Sequence, residues 1–168
     1  MDETGMGIKI ITGGVTAARG FKAASTAAGI KYKDRQDMAM IYSQEPCRSA
    51  GTFTTNIVKA APVKWDKNQV TSGAPARAVV INAGIANACT GEEGMGYCGQ
   101  TAALALGISA ESVLVASTGV IGMQLPMDRI TAGVKAMAPL LDGSLESGTG
   151  ASMAIMTTDT KNKEVAVR

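Results

Sequence analysis

Apolar residues return at steps of three and four in two stretches of the chain, and each stretch carries the boundary chemistry of a helix. In the first, Met95, Cys98, Ala102, Ala105 and Leu106 form the stripe. Before it, Thr90-Gly91-Glu92-Glu93 has the spacing of a capping box, in which a hydroxyl and a glutamate three positions on each satisfy one orphan amide. Gly107 supplies a left-handed stop. In the second stretch Pro126 suits a first turn, Ile130, Val134, Met137 and Leu141 make the stripe, and Pro139 stands near its end. One or two further helical turns are expected over residues 151–156, after a polar, glycine-rich connector at 142–150.

The strand signals are shorter. Residues 1–36 mix glycines, charges and brief apolar pieces, which predicts loops and one short strand near 8–11. Residues 37–43 read as a buried strand with Glu45-Pro46 as its turn, and 50–56, with Phe53 among threonines, as a second strand pairing with it. Residues 58–65 read as an edge or irregular strand, because Pro62 disfavours helix in the residue before it. Residues 69–75 are turn-like. Residues 77–82 read as a central strand entering a glycine turn at Ala83-Gly84, and 112–116 as a buried strand running into Ser117-Thr118-Gly119. Strands that alternate with helices after residue 76 predict an α/β fold, or α+β with a mixed sheet, in one layered sheet-and-helix domain over 1–168. No internal repeat is visible.

Composition narrows the function. With 46% hydrophobic and 18% charged residues in 168, the chain can bury a core. Its net charge of +2 is spread along the sequence, so no basic block marks a nucleic-acid surface. No leader pattern and no membrane-length apolar run is present, which predicts a cytoplasmic protein. Cys47, Cys89 and Cys98 match no zinc spacing and read as reduced thiols, so neither metal nor cofactor is expected. The chain has no histidine at all, which removes every Ser-His-Asp or Cys-His arrangement. Acid–base chemistry must then come from lysine, carboxylates, a terminal amine or another chain.

Four segments could carry chemistry. A buried strand that ends at Ser117-Thr118-Gly119 would expose amides no longer committed to a ladder. Preorganised donors of that kind are what a developing oxyanion needs, and Thr118 adds a hydroxyl. An ordinary strand-to-loop turn is the plain alternative. The small-residue loop 82–91 would leave Asn82, Asn87 and a helix start open to an anion, or would simply pack a tight corner. Gly94 to Gly99 fits G-x-G-x-x-G but falls within a helical stripe instead of between strand and helix, which argues against nucleotide binding. Finally, Thr157-Thr158-Asp159-Thr160 could hydrogen-bond a polar substrate or cap free amides.

Together these segments resemble the ornithine acetyltransferase family of bifunctional glutamate N-acetyltransferases. The matching pieces are GTFTTN (51–56) with VKAAPV (58–63), NACTG (87–91), VASTGVIG (115–122) with LPMD (125–128), and AIMTTDT (154–160) with Lys163-Glu164. The resemblance implies a precursor that cuts itself before a threonine, which becomes the nucleophile on a β chain while its freed amine serves as base. It implies acetyl transfer from N-acetylornithine to glutamate through an acetyl-threonine, releasing ornithine in arginine biosynthesis, in some members also from acetyl-CoA, and an α2β2 assembly. Carried over residue by residue, the oxyanion pair falls on Thr118 and Gly119 and the substrate-contacting threonine on Thr157, with Thr158 the near alternative. Two departures stand out: Ile85 occupies a position where asparagine is usual, and Arg168 precedes the family's cleavage point, so this chain is expected to be the α-side portion without the nucleophile. An aminopeptidase-like self-cleaving relative and a non-catalytic small-molecule-binding domain are the competing readings.

Overall fold

The computed structural model describes residues 7–95 and 97–168, with the backbone alone for Tyr97 and Cys98, so the stripe position assigned to Cys98 lies outside the described side chains. A short strand β1 (Ile10–Ile11) pairs antiparallel with β6 (Ala166–Val167). The main sheet holds β2 (Phe21–Thr26), β3 (Met38–Cys47), β4 (Ala76–Ile85) and β5 (Val113–Val120) in that spatial order. β3 pairs antiparallel with both β2 and β4, and β5 runs parallel to β4, so the sheet is mixed and β5 is one of its edges.

Alternation along the strands splits the sheet into two apolar faces. On one, Met38, Met40, Val80, Val113 and Val115 pack against helix α2 (Tyr97–Leu106) and helix α3 (Met127–Met137). Three of the four expected stripe residues lie in α3: Ile130, Val134 and Met137 are each 0% exposed, and a buried side chain of this kind contributes about 1.5–3 kcal/mol; Leu141 falls beyond the helix, in extended backbone after the 3₁₀ turn Ala138–Leu140 that holds Pro139. On the other face, Ala23 and Ala39 meet Ala151 and Ala154 of helix α4 (Leu145–Ala154). The buried residues of this contact are all alanines, with Val15 and Ile81 packed at its margin, so helix and sheet approach closely.

Several expectations change. Strand β2 was hidden because its residues FKAAST carry no run of large apolar side chains. It forms through six register pairs with β3, from Phe21↔Ser43 to Thr26↔Met38. Strand β3 runs on through Glu45-Pro46, with a register irregularity between Tyr42 and Cys47 where a turn had been expected. Residues 50–56 form no strand: Thr54 Oγ1 and Asn56 Oδ1 accept the amides of Asn56 and Val58, and these local turns replace ladder pairing. Residues 61–72 form helix α1 (Ala61–Ser72) in place of an extended segment and its turn. Pro62 sits in its first turn, where a missing N–H costs nothing, and Gly73 closes it at φ +75°.

Thr90 caps no helix. Its hydroxyl donates to Asn87 Oδ1, a 3₁₀ turn occupies Glu92–Gly94, and α2 begins only at Tyr97, while Gly107 does provide the left-handed stop. Helix α4 starts inside the expected connector, because Ser144 caps it by accepting the Ser147 amide at 3.2 Å, and it ends at Ala154. Gly84 lies within β4 and Thr118-Gly119 within β5, so neither glycine marks the end of its strand.

Candidate functional site

The expected donors at Thr118 and Gly119 are exposed for a reason other than a strand end. The Val120 carbonyl accepts from the Ala86 amide and therefore faces β4. The Val115 amide points the opposite way, to Asp66 Oδ1 at 2.9 Å. The register is continuous between them, so alternation turns the Gly119 amide outward along the open edge and the Thr118 amide inward to the ladder. Thr118 can therefore offer its hydroxyl and Gly119 its amide. Thr118 is half-buried and Gly119 exposed.

A matched glycine lies across the ladder. Gly119 is paired with Gly84, at φ +136° and +114°, and a side-chain carbon at Gly119 would overlap the Gly84 carbonyl. One at Gly84 would lie 2.8 Å from Lys31 Cβ. The two strands thus close where both lack side chains, beneath the loop 27–36.

A buried carboxylate shapes that loop. Asp37, 0% exposed, accepts the amides of Ala28 at 2.7 Å and Ile30 at 2.6 Å, and Arg129 donates to the Gly29 carbonyl. Farther along, the Tyr32 ring has Lys31 Nζ at 5.7 Å and the Arg35 guanidinium at 4.5 Å from its centre. Arg35 also donates to the Met156 carbonyl, the residue before Thr157. A continuous path therefore joins Gly119, Gly84, Tyr32, Arg35 and the threonine motif.

The sheet phase adds that Thr118 faces the α4 side. Ser117 Oγ donates to Asn82 Oδ1 on the α2–α3 side, which puts its neighbour on the opposite face, and α4 runs directly into Thr157. Thr157 is half-buried and Thr158 exposed, and no hydrogen bond joins either to Thr118 among the described residues. Asp159 is paired with Lys163 at 2.5 Å.

Other candidates turn out to be structural. Asn82 and Asn87, each 3% exposed, are not open to a ligand: Asn82 donates to the Ile85 carbonyl, and Asn87 donates to the Gly94 carbonyl and accepts from Thr90. Ile85, at 3% exposed, belongs to the core. Cys47 donates to Ser43 Oγ, and Cys89 is a free, exposed thiol. Among the described residues no three His, Cys, Asp or Glu side chains cluster as metal ligands, and no helix is long and apolar enough to cross a membrane. A cleft of about 850 Å³ lies between β2 and α4, lined by Ser25, Arg35, Gln36, Glu146, Thr149 and Met156 among others, and includes none of the four threonine and glycine candidates.

Two residues at the β5 edge have no functional reading in the sequence, where the lone Trp65 reads as core filling and Asp66 carries no signal. Trp65 Nε1 donates to the Val113 carbonyl at 2.8 Å, and Asp66 takes the Val115 amide. Burial pushes the Asp66 carboxyl from its ordinary 3.8 up to about 6, the Val115 hydrogen bond pulling the other way. Reading Pro62 as the start of a helix would have placed both on a face that meets a neighbour.

These features define a mixed-sheet α/β chain whose edge strand carries a hydroxyl and an outward glycine amide side by side. The chain belongs to the ArgJ family, whose model matches residues 22–168. It is 48% identical over 162 residues to the arginine biosynthesis bifunctional protein ArgJ of Gloeobacter violaceus and 50% identical over 163 residues to that of Symbiobacterium thermophilum. Each alignment covers 94% of this chain but only 39% and 40% of those relatives, so the chain spans about two fifths of their length. Among solved structures it resembles ornithine acetyltransferase complexed with ornithine from Mycobacterium tuberculosis, at TM-score 0.91 and 43% identity over 95% of this chain and 88% of that one. The bifunctional protein argJ from Bacillus halodurans matches at TM-score 0.89 and 36% identity, covering 95% of this chain and 84% of that one.

Proposed function

We propose that this chain is the α-side portion, folded as one domain, of a cytoplasmic acyltransferase that moves acetyl from N-acetylornithine to glutamate in arginine biosynthesis. In this reading a threonine on a β chain from the same precursor attacks the acetyl carbonyl and holds it as an ester, and two α–β units associate. The Thr118 hydroxyl and the Gly119 amide stabilise the oxyanion of each tetrahedral intermediate, and Thr157, with Thr158 beside it, contacts the substrate. Glutamate's amine then takes the acetyl group from the threonine after ornithine has left; acetyl-CoA is a second donor to test.

The observation that carries the reading is the outward Gly119 amide next to the Thr118 hydroxyl on an open strand edge, where two donors can converge on one oxygen. The missing histidine agrees, because a terminal amine can act as base to a threonine nucleophile. Coverage agrees as well. The chain spans about two fifths of the curated relatives yet 84% and 88% of the two solved chains, so solved relatives include a polypeptide only slightly longer than this one.

The test uses the full-length protein with N-acetylornithine and glutamate, assaying N-acetylglutamate and ornithine, with acetyl-CoA as a separate donor. Expected are stoichiometric formation of both products and an acetyl group trapped on a threonine by mass spectrometry. Turnover of small peptides without acetyl transfer would replace this reading by the aminopeptidase-like one.

A further inference from the structure

We propose that Asp66 is a positioning residue for the oxyanion donors: by accepting the outward amide of Val115 it fixes the strand edge from which Thr118 and Gly119 act. The inference rests on the role given to those two residues above.

Strand β5 is held on one side by β4 along its whole length. On its open side two side chains of α1 hydrogen-bond to it among the described residues: Trp65 Nε1 to the Val113 carbonyl at 2.8 Å, and Asp66 Oδ1 to the Val115 amide at 2.9 Å. The helix can serve as a brace because it is fixed elsewhere. The Ala61 amide donates to the Asn87 carbonyl at 3.0 Å, and the Trp65 ring closes on Gly99 of α2, where an added side-chain carbon would lie 3.0 Å from Cζ2.

Past Val115 the outward amides are those of Ser117 and Gly119, so among the described residues the Asp66 contact is the last side-chain hydrogen bond on this edge before the donor pair. Donors aimed at a developing charge must hold within about 0.5 Å to be effective, and segments with few contacts are the ones that open locally. A carboxylate makes a hydrogen bond roughly twice as strong as a neutral acceptor does. Half-buried, this one suffers the desolvation that raises its pKa to about 6, a cost that a water-satisfied edge amide would not require. The competing explanation is that Asp66 only guards a strand edge against aggregation.

Rates of acetyl transfer by the full-length protein at pH 8 separate the two. Asp66→Ala is expected to lower kcat about tenfold with KM changed less than about twofold, because donor position matters most where charge develops. Asp66→Asn, whose Oδ1 still accepts, is expected to recover most of kcat. Wild-type kcat in the alanine variant, or an asparagine variant as impaired as the alanine one, overturns the proposal. Should the alanine variant not fold, Trp65→Phe decides: it keeps a ring and loses only the N–H to Val113, and kcat should drop several-fold at constant KM, whereas unchanged kcat counts against the brace. A wild-type protein that transfers no acetyl removes the acetyltransferase reading itself, and this inference with it.

Discussion

Gly84 and Gly119 sit opposite each other in the β4–β5 ladder with φ of +114° and +136°; a side chain at Gly119 would run into the Gly84 backbone, and one at Gly84 into Lys31 of the loop above. Gly119→Ala therefore combines a disfavoured backbone region with backbone overlap. The left-handed region costs roughly 1–2 kcal/mol and overpacking about 1–3 kcal/mol, so the expected loss is about 2–5 kcal/mol. Gly73→Ala is the control. It has φ +75° but open space around it, so only the strain of roughly 1 kcal/mol should appear. Urea denaturation of the two variants measures the gap, and equal losses would show that the Gly84 contact is not what demands glycine.

Thr118 tests the hydroxyl separately from the amide. Thr118→Ala removes one donor and leaves the strand phase intact, and loss of one oxyanion donor typically lowers kcat about 10²–10³-fold. Thr118→Ser keeps the hydroxyl and should retain most of the rate. A serine variant as slow as the alanine one would point to the methyl group, hence to packing.

How much of this could be read in advance depends on where the information resides. The α3 stripe of Ile130, Val134 and Met137 was legible because burial and helical period coincide. The central strand β4 was legible because a run of β-branched residues passes through it, Val80 buried on one face and Val79 and Ile81 half-buried on the other. Strand β2 was not, since Ala23 and Ala24 become strand residues only through pairing with β3 and packing under α4. Helix α1 was misread because Pro62 was weighed as a breaker when its position in a first turn makes it a starter. At the site, small residues around Thr118 and Gly119 were visible, but the edge position of β5 is a property of sheet order, which no local pattern carries. Asp37 and Asp66 were passed over for the same reason: both accept amides from residues 7 to 49 positions away.

Asp37 should control the loop over the glycine pair. Its carboxylate is fully buried and accepts two loop amides, and hydrogen bonds to a charged group contribute about 1.5–3 kcal/mol each. Asp37→Ala is expected to cost roughly 3–5 kcal/mol and to leave the Ala28 and Ile30 amides without an acceptor. The loop carries Lys31, Lys33 and Arg35, so brief trypsin treatment under native conditions should cut there in the variant well before it cuts the wild type. Equal cutting rates would mean that Arg129 and the Tyr32–Arg35 stack hold the loop without Asp37.

The pH dependence of stability should bear the mark of Asp66. Its carboxyl titrates near 6 in the folded protein, above the ordinary 3.8 expected once unfolded, so the folded state holds its proton more tightly. The stabilisation from that proton is complete below about 4 and is lost as pH rises through about 6. Asp66→Asn stays neutral throughout and keeps an acceptor for Val115. The difference in Tm between Asp66→Asn and wild type should therefore grow in favour of the variant between pH 4 and 7, and then level off. Subtracting the wild-type curve cancels the other carboxylates, which titrate alike in both proteins. Because the group is only half-buried, solvent screening makes the change smaller than the full pKa shift implies. A flat difference across this range, or one that grows in favour of the wild type, would mean that desolvation does not govern this carboxyl.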